Sequence, residues 1–380
     1  MTTTKNNEHK KLNAPNLRFP EFEGEWKEST IGEEFDLYSG NTPSRLNKEH
    51  FNGAINWISS GELKEHYIAD TKEKISDEAA KTLKMLPIGT FVIAIYGLEA
   101  DGVRGTGSIT KTEATISQAC MAFISKGKVQ NEFLYSWYKK HGNVIGIRYA
   151  QGTKQQNLSY DIIEKFKIAY PTFQEQEKLN KFIALLDERI ATQNKIIDKL
   201  QSLIKGIAHK ISKQGKPNIR LSECLECSST TLQESDVAEV GAYPVYGANG
   251  IVGYLDTYST TKEAIYIIKD GSGVGSVSYV KGKCSATGTL NILQAKEGYS
   301  LRYLYFMLKV FNFEPYKTGM AIPHIYFKDY RKAKIYCPSY ELQVKYTDLL
   351  FGIEQKAITE QKILTNLYNQ KQYLLRQMFI

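Results

Sequence analysis

The 380-residue chain lacks the features that mark membrane-spanning, secreted and disulfide-stabilised proteins. Its longest apolar run, Phe91 to Ile95, is far shorter than the about 20 apolar residues that a bilayer-spanning helix needs. The polar start has no apolar core like that of a signal peptide, and we interpret residues 1–14 as a disordered tail. Five cysteines are too few, and odd in number, for a disulfide framework, which favours a reducing cytoplasm.

Motifs for catalysis and for nucleotide or metal binding are also missing. The glycine-rich run 271–276 precedes an alternating, strand-like segment, whereas a phosphate loop needs a helix there, and 102–107 fails in the same way. Cys224 and Cys227 form one CxxC pair, but a closed zinc site needs four ligands. No HExxH, GxSxG, Walker lysine or Asn-Pro-Pro-aromatic tetrapeptide occurs, so we predict neither catalytic nor metal-binding residues.

What the chain does contain is a globular composition with a mild positive charge. Hydrophobic residues make up 42% and charged residues 24%, and the length suits two or three domains. The net charge of +8 permits a polyanionic partner without requiring one. Tyrosine is unusually frequent, with 25 residues, and it suits both amphipathic strands and DNA contacts, so both interpretations stay open.

The chain also repeats itself at an offset of 167 residues. PTFQEQEK at 171–178 aligns with PSYELQVK at 338–345, and the register holds without a gap over about 50 residues. A second, shorter similarity relates PNLR at 15–18 to PNIR at 217–220. The repeats therefore predict the order domain, helix, domain, helix.

Both matched segments predict long coiled-coil helices. In 173–212, apolar residues recur at alternating spacings of four and three, which is the 3.5-residue period of a coiled coil, and 340–378 keeps the same frame less cleanly. Gln193 and Glu360 interrupt the two seams at equivalent points, either to fix the register or as tolerated polar groups near solvent. The predicted seam residues are Leu179, Ile183, Leu186, Ile190, Ile197, Leu200 and Ile204 in the first helix, and Leu350, Ile353, Leu364 and Leu367 in the second.

Connectivity predicts that the two helices are antiparallel, because the first leads from domain one to domain two and the second returns. At 1.5 Å per residue each spans roughly 50 to 60 Å, which suits the reading of two separated places on one long ligand. We predict an α+β fold with a pseudo-two-fold repeat, in which spacer helices separate two mixed α/β domains. The domains are 15–170 and 215–337, and the spacer helices are 171–214 and 338–380.

Two segments resemble the specificity subunit of type I restriction-modification systems. LRFPEFEGEW at 17–26, followed by Ile31-Gly32-Glu33, looks like the start of that subunit. YPVYGANGIVGY at 243–254 resembles a segment that is frequent in its target recognition domains. The repeated helices match its two conserved helical regions, so the resemblance extends from about residue 15 to the end of the chain.

The resemblance implies a function and a set of partners. Each recognition domain would read one half of a bipartite site in double-stranded DNA, while the helices set the spacing and dock two methyltransferase subunits. Restriction motor subunits would complete an adenine-N6 methyltransferase and ATP-dependent endonuclease. This chain would be non-catalytic, cytoplasmic and unattached to membranes. It would bind no cofactor itself, and S-adenosylmethionine, ATP and magnesium would be bound by the partner subunits.

Candidate DNA contacts follow from side-chain chemistry, since Arg pairs bidentately with guanine, Asn or Gln with adenine, and Lys with phosphates. For any one of them a solvated surface or a turn is the alternative, and Asn249-Gly250 in particular fits a hairpin turn. The candidates in domain one are Asn41, Thr42, Ser44, Arg45, Ser59, Ser60, Arg104, Lys154, Gln155, Gln156 and Asn157. Those in domain two are Tyr246, Asn249, Lys269, Lys281, Lys283, Lys317 and His324.

Two other functions compete with DNA specificity. A fused methyltransferase or nuclease would need a cofactor loop and catalytic carboxylates or an Asn-Pro-Pro motif. A coiled-coil adaptor without DNA recognition would need none of these, and it differs from a DNA-binding subunit in showing no salt-sensitive DNA binding.

Overall fold

The computed structural model describes residues 13–96, 105–149, 158–271, 273–319 and 322–380. The chain forms two compact units, which are Met1–Thr192 with Leu364–Ile380, and Gln193–Ile363. Of the predicted tail, residues 1–12 lie outside the described residues. Asn13 already exchanges two hydrogen bonds with Trp26, at 2.7 and 2.9 Å. Within the ranges given above, no helix has the length and apolar character that crossing a bilayer requires.

The first unit contains a domain built around a five-stranded sheet of order β2-β9-β6-β7-β4, a smaller sheet β5-β3-β8 and a ribbon β1-β10. Its elements are β1 Lys27–Thr30, α1 Ile31–Glu34, β2 Phe35–Ser39, β3 Ile55–Ile58, β4 Tyr67–Ile68, β5 Lys74–Ile75, α2 Asp77–Ala80, β6 Phe91–Ala94, β7 Gly107–Thr110, β8 Ala114–Ile116, β9 Cys120–Ser125, α3 Asn131–Tyr149, α4 Tyr160–Ile163, β10 Lys167–Tyr170 and the start of α5 Phe173–Ser212.

The second unit repeats this plan with sheets β12-β18-β15-β16, β14-β13-β17 and β11-β19. Its elements are β11 Ile219–Arg220, α6 Leu221–Cys224, β12 Leu225–Ser228, β13 Tyr243–Gly247, β14 Gly250–Leu255, β15 Ala264–Ile268, β16 Val277–Val280, β17 Ser285–Ala286, β18 Leu290–Ala295, α7 Leu301–Lys309, α8 Phe327–Tyr330, β19 Lys334–Ile335 and the start of α9 Tyr340–Met378. Because β12-β18-β15-β16 matches β2-β9-β6-β7 strand by strand, the two domains are copies of one fold.

The central strand of each larger sheet is buried on both faces. In β6, Phe91 and Ile93 join the core that contains α3, while Val92 and Ala94 join the core of the smaller sheet. The matching strand β15 divides its side chains between two cores in the same way. A strand covered on both faces needs apolar residues at every position, which explains the continuous apolar runs in the sequence.

The second sequence similarity, between 15–18 and 217–220, does not reflect structural equivalence. The amide of Ile31 donates to the carbonyl of Phe166 (2.9 Å), and the amide of Leu221 donates to that of Ala333 (3.0 Å). Because Ile31 and Leu221 occupy the same place, 217–220 corresponds to 27–30. Four similar residues without a continuous register were too few to fix the alignment.

The opening segment of the chain instead binds the first helix. The Arg18 guanidinium donates two 2.7 Å hydrogen bonds to the buried carboxylate of Glu175 near the start of α5. Its remaining donors reach the backbone carbonyls of Glu23 and Gly24, at 3.0 and 2.6 Å. The arginine of the LRFPEFEGEW segment therefore fastens that segment to α5.

We call α5 and α9 the arms, and they pair in antiparallel fashion within each unit. In the first unit Leu179 and Ile183 of α5 share a core with Leu375 near the end of α9. In the second unit Ile204 near the end of α5 shares a core with Leu350 near the start of α9. Every predicted seam residue is buried or half-buried, and the predicted fold class is confirmed.

The two polar interruptions of the seam pair with each other inside the second unit. Gln193 is 8% exposed and Glu360 is 7% exposed. The Gln193 amide donates to the backbone carbonyl of Glu360 at 3.1 Å and also to its carboxylate. Their burial and mutual pairing favour a role in fixing the register over simple tolerance near solvent.

Candidate nucleic-acid interface

In the first unit, three connecting segments meet at one end of the larger sheet. The Ile95 amide, directly after β6, donates to the carbonyl of Ala119 in the turn before β9 (2.9 Å). The Leu158 amide, in the segment after α3, donates to the carbonyl of Ile95 (3.0 Å). Residues 97–104 and 150–157 lie outside the described residues. The candidates located there are Arg104, Lys154, Gln155, Gln156 and Asn157.

The second unit builds the same junction. The Lys269 amide, directly after β15, donates to the carbonyl of Thr289 (2.9 Å), and the Ile325 amide donates to the carbonyl of Lys269 (2.9 Å). Two repeated hydrogen bonds make these sheet ends equivalent positions in the two domains. We call the segments of the second unit its sheet-end loops, and they comprise 269–271, 273–276, 287–289, 317–319 and 322–325.

The sheet-end loops bring together three of the predicted contact residues, Lys269, Lys317 and His324. His324 and Thr318, next to Lys317, exchange backbone hydrogen bonds of 2.8 and 2.9 Å, while the carbonyl of Lys269 accepts from the residue after His324. All three side chains are half-buried, and their ammonium and imidazole groups are suited to phosphates and base edges.

Carboxylates lie near two of these three side chains. The Lys317 ammonium lies 2.6 Å from the Glu314 carboxylate, and His324 Nδ1 lies 3.7 Å from that of Asp270. Such pairs orient a side chain in the free protein. A DNA phosphate would compete with the carboxylate for the cation, so binding would exchange one ion pair for another.

Tyr246 and Asn249 lie on the hairpin beside these loops. A groove of about 310 Å³ separates the hairpin from Ser276–Val280, and the Tyr246 side chain is among the groups that line it. Burial raises the pKa of the Tyr246 hydroxyl, so at neutral pH it stays protonated and able to donate. Asn249 is exposed in the two-residue turn between the paired Gly247 and Gly250, so it has the turn role that its sequence allowed.

Lys281 and Lys283 lie away from the sheet-end loops. β16 leaves these loops at its amino end, and both lysines follow its carboxyl end. The Lys281 ammonium lies 4.9 Å from the ring of Phe351 on α9 and 3.9 Å from the Glu263 carboxylate. That of Lys283 lies 4.8 Å from the Tyr258 ring. The structure therefore places Lys281 against the arm.

In the first unit, four candidates lie in the loop after β2, and one of them, Arg45, is paired with a carboxylate. Arg45 donates to both oxygens of the Glu73 carboxylate, at 2.9 and 2.8 Å, and its guanidinium lies 4.6 Å from the Phe51 ring. Asn41 Oδ1 accepts from the Thr42 amide at 2.8 Å. The hydroxyl-bearing candidate Ser44 is exposed on the same loop. To read a base, the Arg45 guanidinium would have to leave the Glu73 carboxylate and bind a guanine edge instead.

Ser59 and Ser60 form the start of a short 3-10 helix, Ser60–Glu62. The Ser59 hydroxyl and amide both donate to the Glu62 carboxylate, at 2.8 and 2.9 Å. A neighbouring groove of about 450 Å³ is lined by residues between Gly61 and Lys72, which sequence reasoning missed. Its lysines alternate with carboxylates in the sequence, so no charge pattern distinguished it.

The comparisons with known proteins agree with the duplicated architecture. A family model described as "Type I restriction modification DNA specificity domain" matches residues 23–202 and again 217–369, so each match covers one domain and most of the arm that follows. The chain belongs to this family. Members of the family supply DNA specificity to type I restriction-modification systems and leave catalysis to partner subunits.

Two Escherichia coli proteins named as specificity subunits of type I restriction enzymes are similar to this chain. The type I restriction enzyme EcoR124I/EcoR124II specificity subunit is 30% identical over 190 residues, which are 48% of this chain and 45% of the relative. The EcoprrI specificity subunit is 23% identical over 364 residues, which are 86% of this chain and 87% of the relative. The match therefore spans less than half of the first relative and most of the second.

Solved structures show the same fold. The crystal structure of a type I restriction-modification S subunit from M. genitalium has a TM-score of 0.63 at 19% identity, and the alignment covers 97% of this chain and 99% of that one. A chain from a study of complex assembly and conformational transition of the type I system has a TM-score of 0.53 at 15% identity, with 93% and 97% coverage.

Proposed function

We propose that this chain selects the DNA target of a type I restriction-modification complex, and that each recognition domain reads one half of a bipartite site. The observation that carries this proposal is the doubled junction of connecting segments, built once in each family domain. In the second unit, cationic and aromatic side chains surround it, as expected for phosphate contacts and base readout. Catalysis then belongs to partner subunits, which agrees with the lack of catalytic motifs in the sequence.

The partners follow from the same proposal. Two methyltransferase subunits would dock on the arms, and motor subunits would join in the full restriction complex. Large apolar side chains that are exposed on both arms support docking, because a bound partner subunit would remove them from water. They include Phe173, Leu185, Ile196 and Leu203 on α5, and Leu349, Ile358 and Ile363 on α9.

Cofactors are assigned to the partners as well. We propose that this chain binds none, and that S-adenosylmethionine, ATP and magnesium are bound by the methyltransferase and motor subunits. The complex would act in the cytoplasm, where the DNA is accessible to it.

Sequencing of methylated adenines across the genome, with and without the gene for this chain, tests the function. Deletion is expected to remove methylation at one bipartite motif and to leave other motifs intact. Restoring the gene on a plasmid should restore that motif. If a complex purified with the methyltransferase methylates DNA without any sequence preference, the specificity role is wrong and the adaptor function leads.

A further inference from the structure

In each unit, a buried glutamine ties the arm to the start of the domain helix, which is α3 in the first unit and α7 in the second. Gln176 and Gln343 occupy matching places near the starts of α5 and α9, and both are fully buried. Their side-chain oxygens accept from the backbone amides of Gln130 and Ser300, each at 2.9 Å. Their side-chain amides donate to the carbonyl of the proline that precedes their own arm, at 3.1 and 2.9 Å. The two domain helices are therefore attached to their own arms at corresponding positions.

Further along each arm, a carboxylate pairs with a side chain of its own domain. In the second unit, Tyr305 donates to the Glu354 carboxylate at 2.7 Å, and the Lys309 ammonium lies 3.3 Å from it. Counting from the shared attachment points, Glu354 corresponds to Asp187 on the first arm. By the same count, the equivalents of Tyr305 and Lys309 are Tyr135 and Lys139.

The first unit uses its carboxylate with a different set of donors. Asp187 lies 2.8 Å from His66 Nδ1 and also pairs with the Lys371 ammonium. The His66 ring is stacked between two tyrosine rings, at 4.1 Å from Tyr67 and 4.0 Å from Tyr135. The hydrogen bonds from His66 and Lys371 overcome the effect of burial and lower the pKa of Asp187. This single carboxylate therefore joins the domain to both arms.

The two carboxylates are equally buried, with side chains 17% and 18% exposed. A buried carboxylate needs its donors in fixed directions, whereas apolar packing tolerates sliding between surfaces. Position and burial are conserved between the two copies of the repeat, but the donors differ. The feature that the two copies share is therefore a directional bond between the arm and its own domain, made to the loop before β4 in the first unit and to α7 in the second.

We propose that Asp187 and Glu354 are positioning residues that hold each recognition domain at one orientation on its own arm. This proposal rests on the proposed DNA-reading function. A domain held in one orientation presents its sheet end to the bases in one way, so mismatched base pairs cannot be accommodated by a small rotation. Loss of the directional bond relaxes discrimination in the half-site of that domain only.

The test uses the full chain in complex with its methyltransferase subunits. Methylation rates are measured on duplexes with the matched site and on duplexes with one substituted base pair in either half. Asp187→Asn is expected to lower the matched-to-mismatched ratio about fivefold or more in the half read by domain one, and Glu354→Gln in the other half, since each mismatch normally costs about tenfold or more. Glu188→Gln, at an exposed neighbour on α5, is the matched control and should change neither ratio.

A purely structural role would lower the active fraction and reduce all rates together, leaving both ratios unchanged. Unchanged ratios in both variants, with a wild-type complex that discriminates, would overturn the positioning proposal. A wild-type complex without discrimination would instead overturn the proposed function. If either variant fails to assemble, Tyr305→Phe removes one donor from Glu354 without altering charge, and it is expected to relax the second half-site alone.

Discussion

At the scale of the residue, Lys139 on α3 lies in an environment that disfavours the charged form of its side chain. Burial and the neighbouring charge of Lys371 lower its pKa to about 8, while the carboxylates of Asp187 and Glu65 act in the opposite direction. The folded protein therefore binds this proton less tightly than the unfolded chain, whose lysines have a pKa near 10.4. The contribution of Lys139 to the free energy of unfolding must rise as pH increases from about 8 towards that value.

Comparison with Lys139→Met isolates this contribution, because the raised pKa values of buried Cys and Tyr residues affect both proteins alike. Between pH 7.5 and 9.5, the wild type is expected to gain on the order of 1 to 2 kcal/mol of unfolding free energy relative to the variant. Urea unfolding at several pH values measures the difference. A difference that does not change with pH would contradict the assigned pKa.

Two lysines of the second unit give a paired prediction about DNA. Lys317 lies in the sheet-end loops, whereas Lys281 packs against Phe351 on the arm. Lys317→Gln is expected to weaken DNA binding and to lower the slope of log affinity against log salt by about 0.9, the value for one lost phosphate contact. Lys281→Gln should leave that slope unchanged. Binding titrations from 50 to 200 mM salt (roughly the range in which the effect is large) measure both.

At the scale of the element, adjacent isoleucines on α5 have opposite environments. Ile197 is 5% exposed in the seam, and Ile196 is 38% exposed beside it. Ile197→Glu buries an unpaired charge and is expected to cost about 3 kcal/mol or more of unfolding free energy, whereas Ile196→Glu should cost about 0.5 kcal/mol or less. Denaturant unfolding of the two variants measures this. Equal losses would show that the assigned seam is not the interface.

Elements with strong periodicity could be predicted from the sequence, and elements defined by tertiary contacts could not. The 3.5-residue repeat predicted 173–212 and 340–378, which match the arms, and the alternating stretch after the glycine-rich loop is strand β16. The sequence also shows helical patterns at 131–140 and 76–83, whereas the helices found there are Asn131–Tyr149 and Asp77–Ala80. Apolar periodicity alone did not fix where these short helices end.

The candidate site was harder to predict, because its parts come together only in the fold. Lys269, Lys317 and His324 are distant in sequence and meet through backbone hydrogen bonds at a sheet end. The arm carboxylates were missed, although the 167-residue offset pairs Asp187 with Glu354 and two acids at equivalent places were a usable signal. Lys281 was predicted as a DNA contact from its side-chain chemistry alone, because the sequence does not show that β16 separates it from Lys317.

At the scale of the whole molecule, the duplicated fold predicts that the two halves of the DNA site can be exchanged independently. Each domain has its own sheets, its own core and its own attachment to the arms. Replacing residues 15–170 with the corresponding domain of a related specificity subunit should therefore change one half of the methylated motif and preserve the other. Gln176 and Asp187 belong to the arm and are not exchanged, so the new domain must supply their hydrogen-bond partners.

Which domains can be grafted successfully depends on the residues that they supply as partners for Asp187. A donor domain with a hydrogen-bond donor at the place of His66 can satisfy Asp187, whereas an apolar residue there leaves the carboxylate buried with fewer partners. We expect chimaeras of the first kind to methylate a hybrid motif at close to the parental rate, and those of the second kind to assemble but discriminate poorly in the new half. Methylated-adenine sequencing of cells that carry each chimaera measures both outcomes. A change in both halves of the motif would refute independent reading by the two domains.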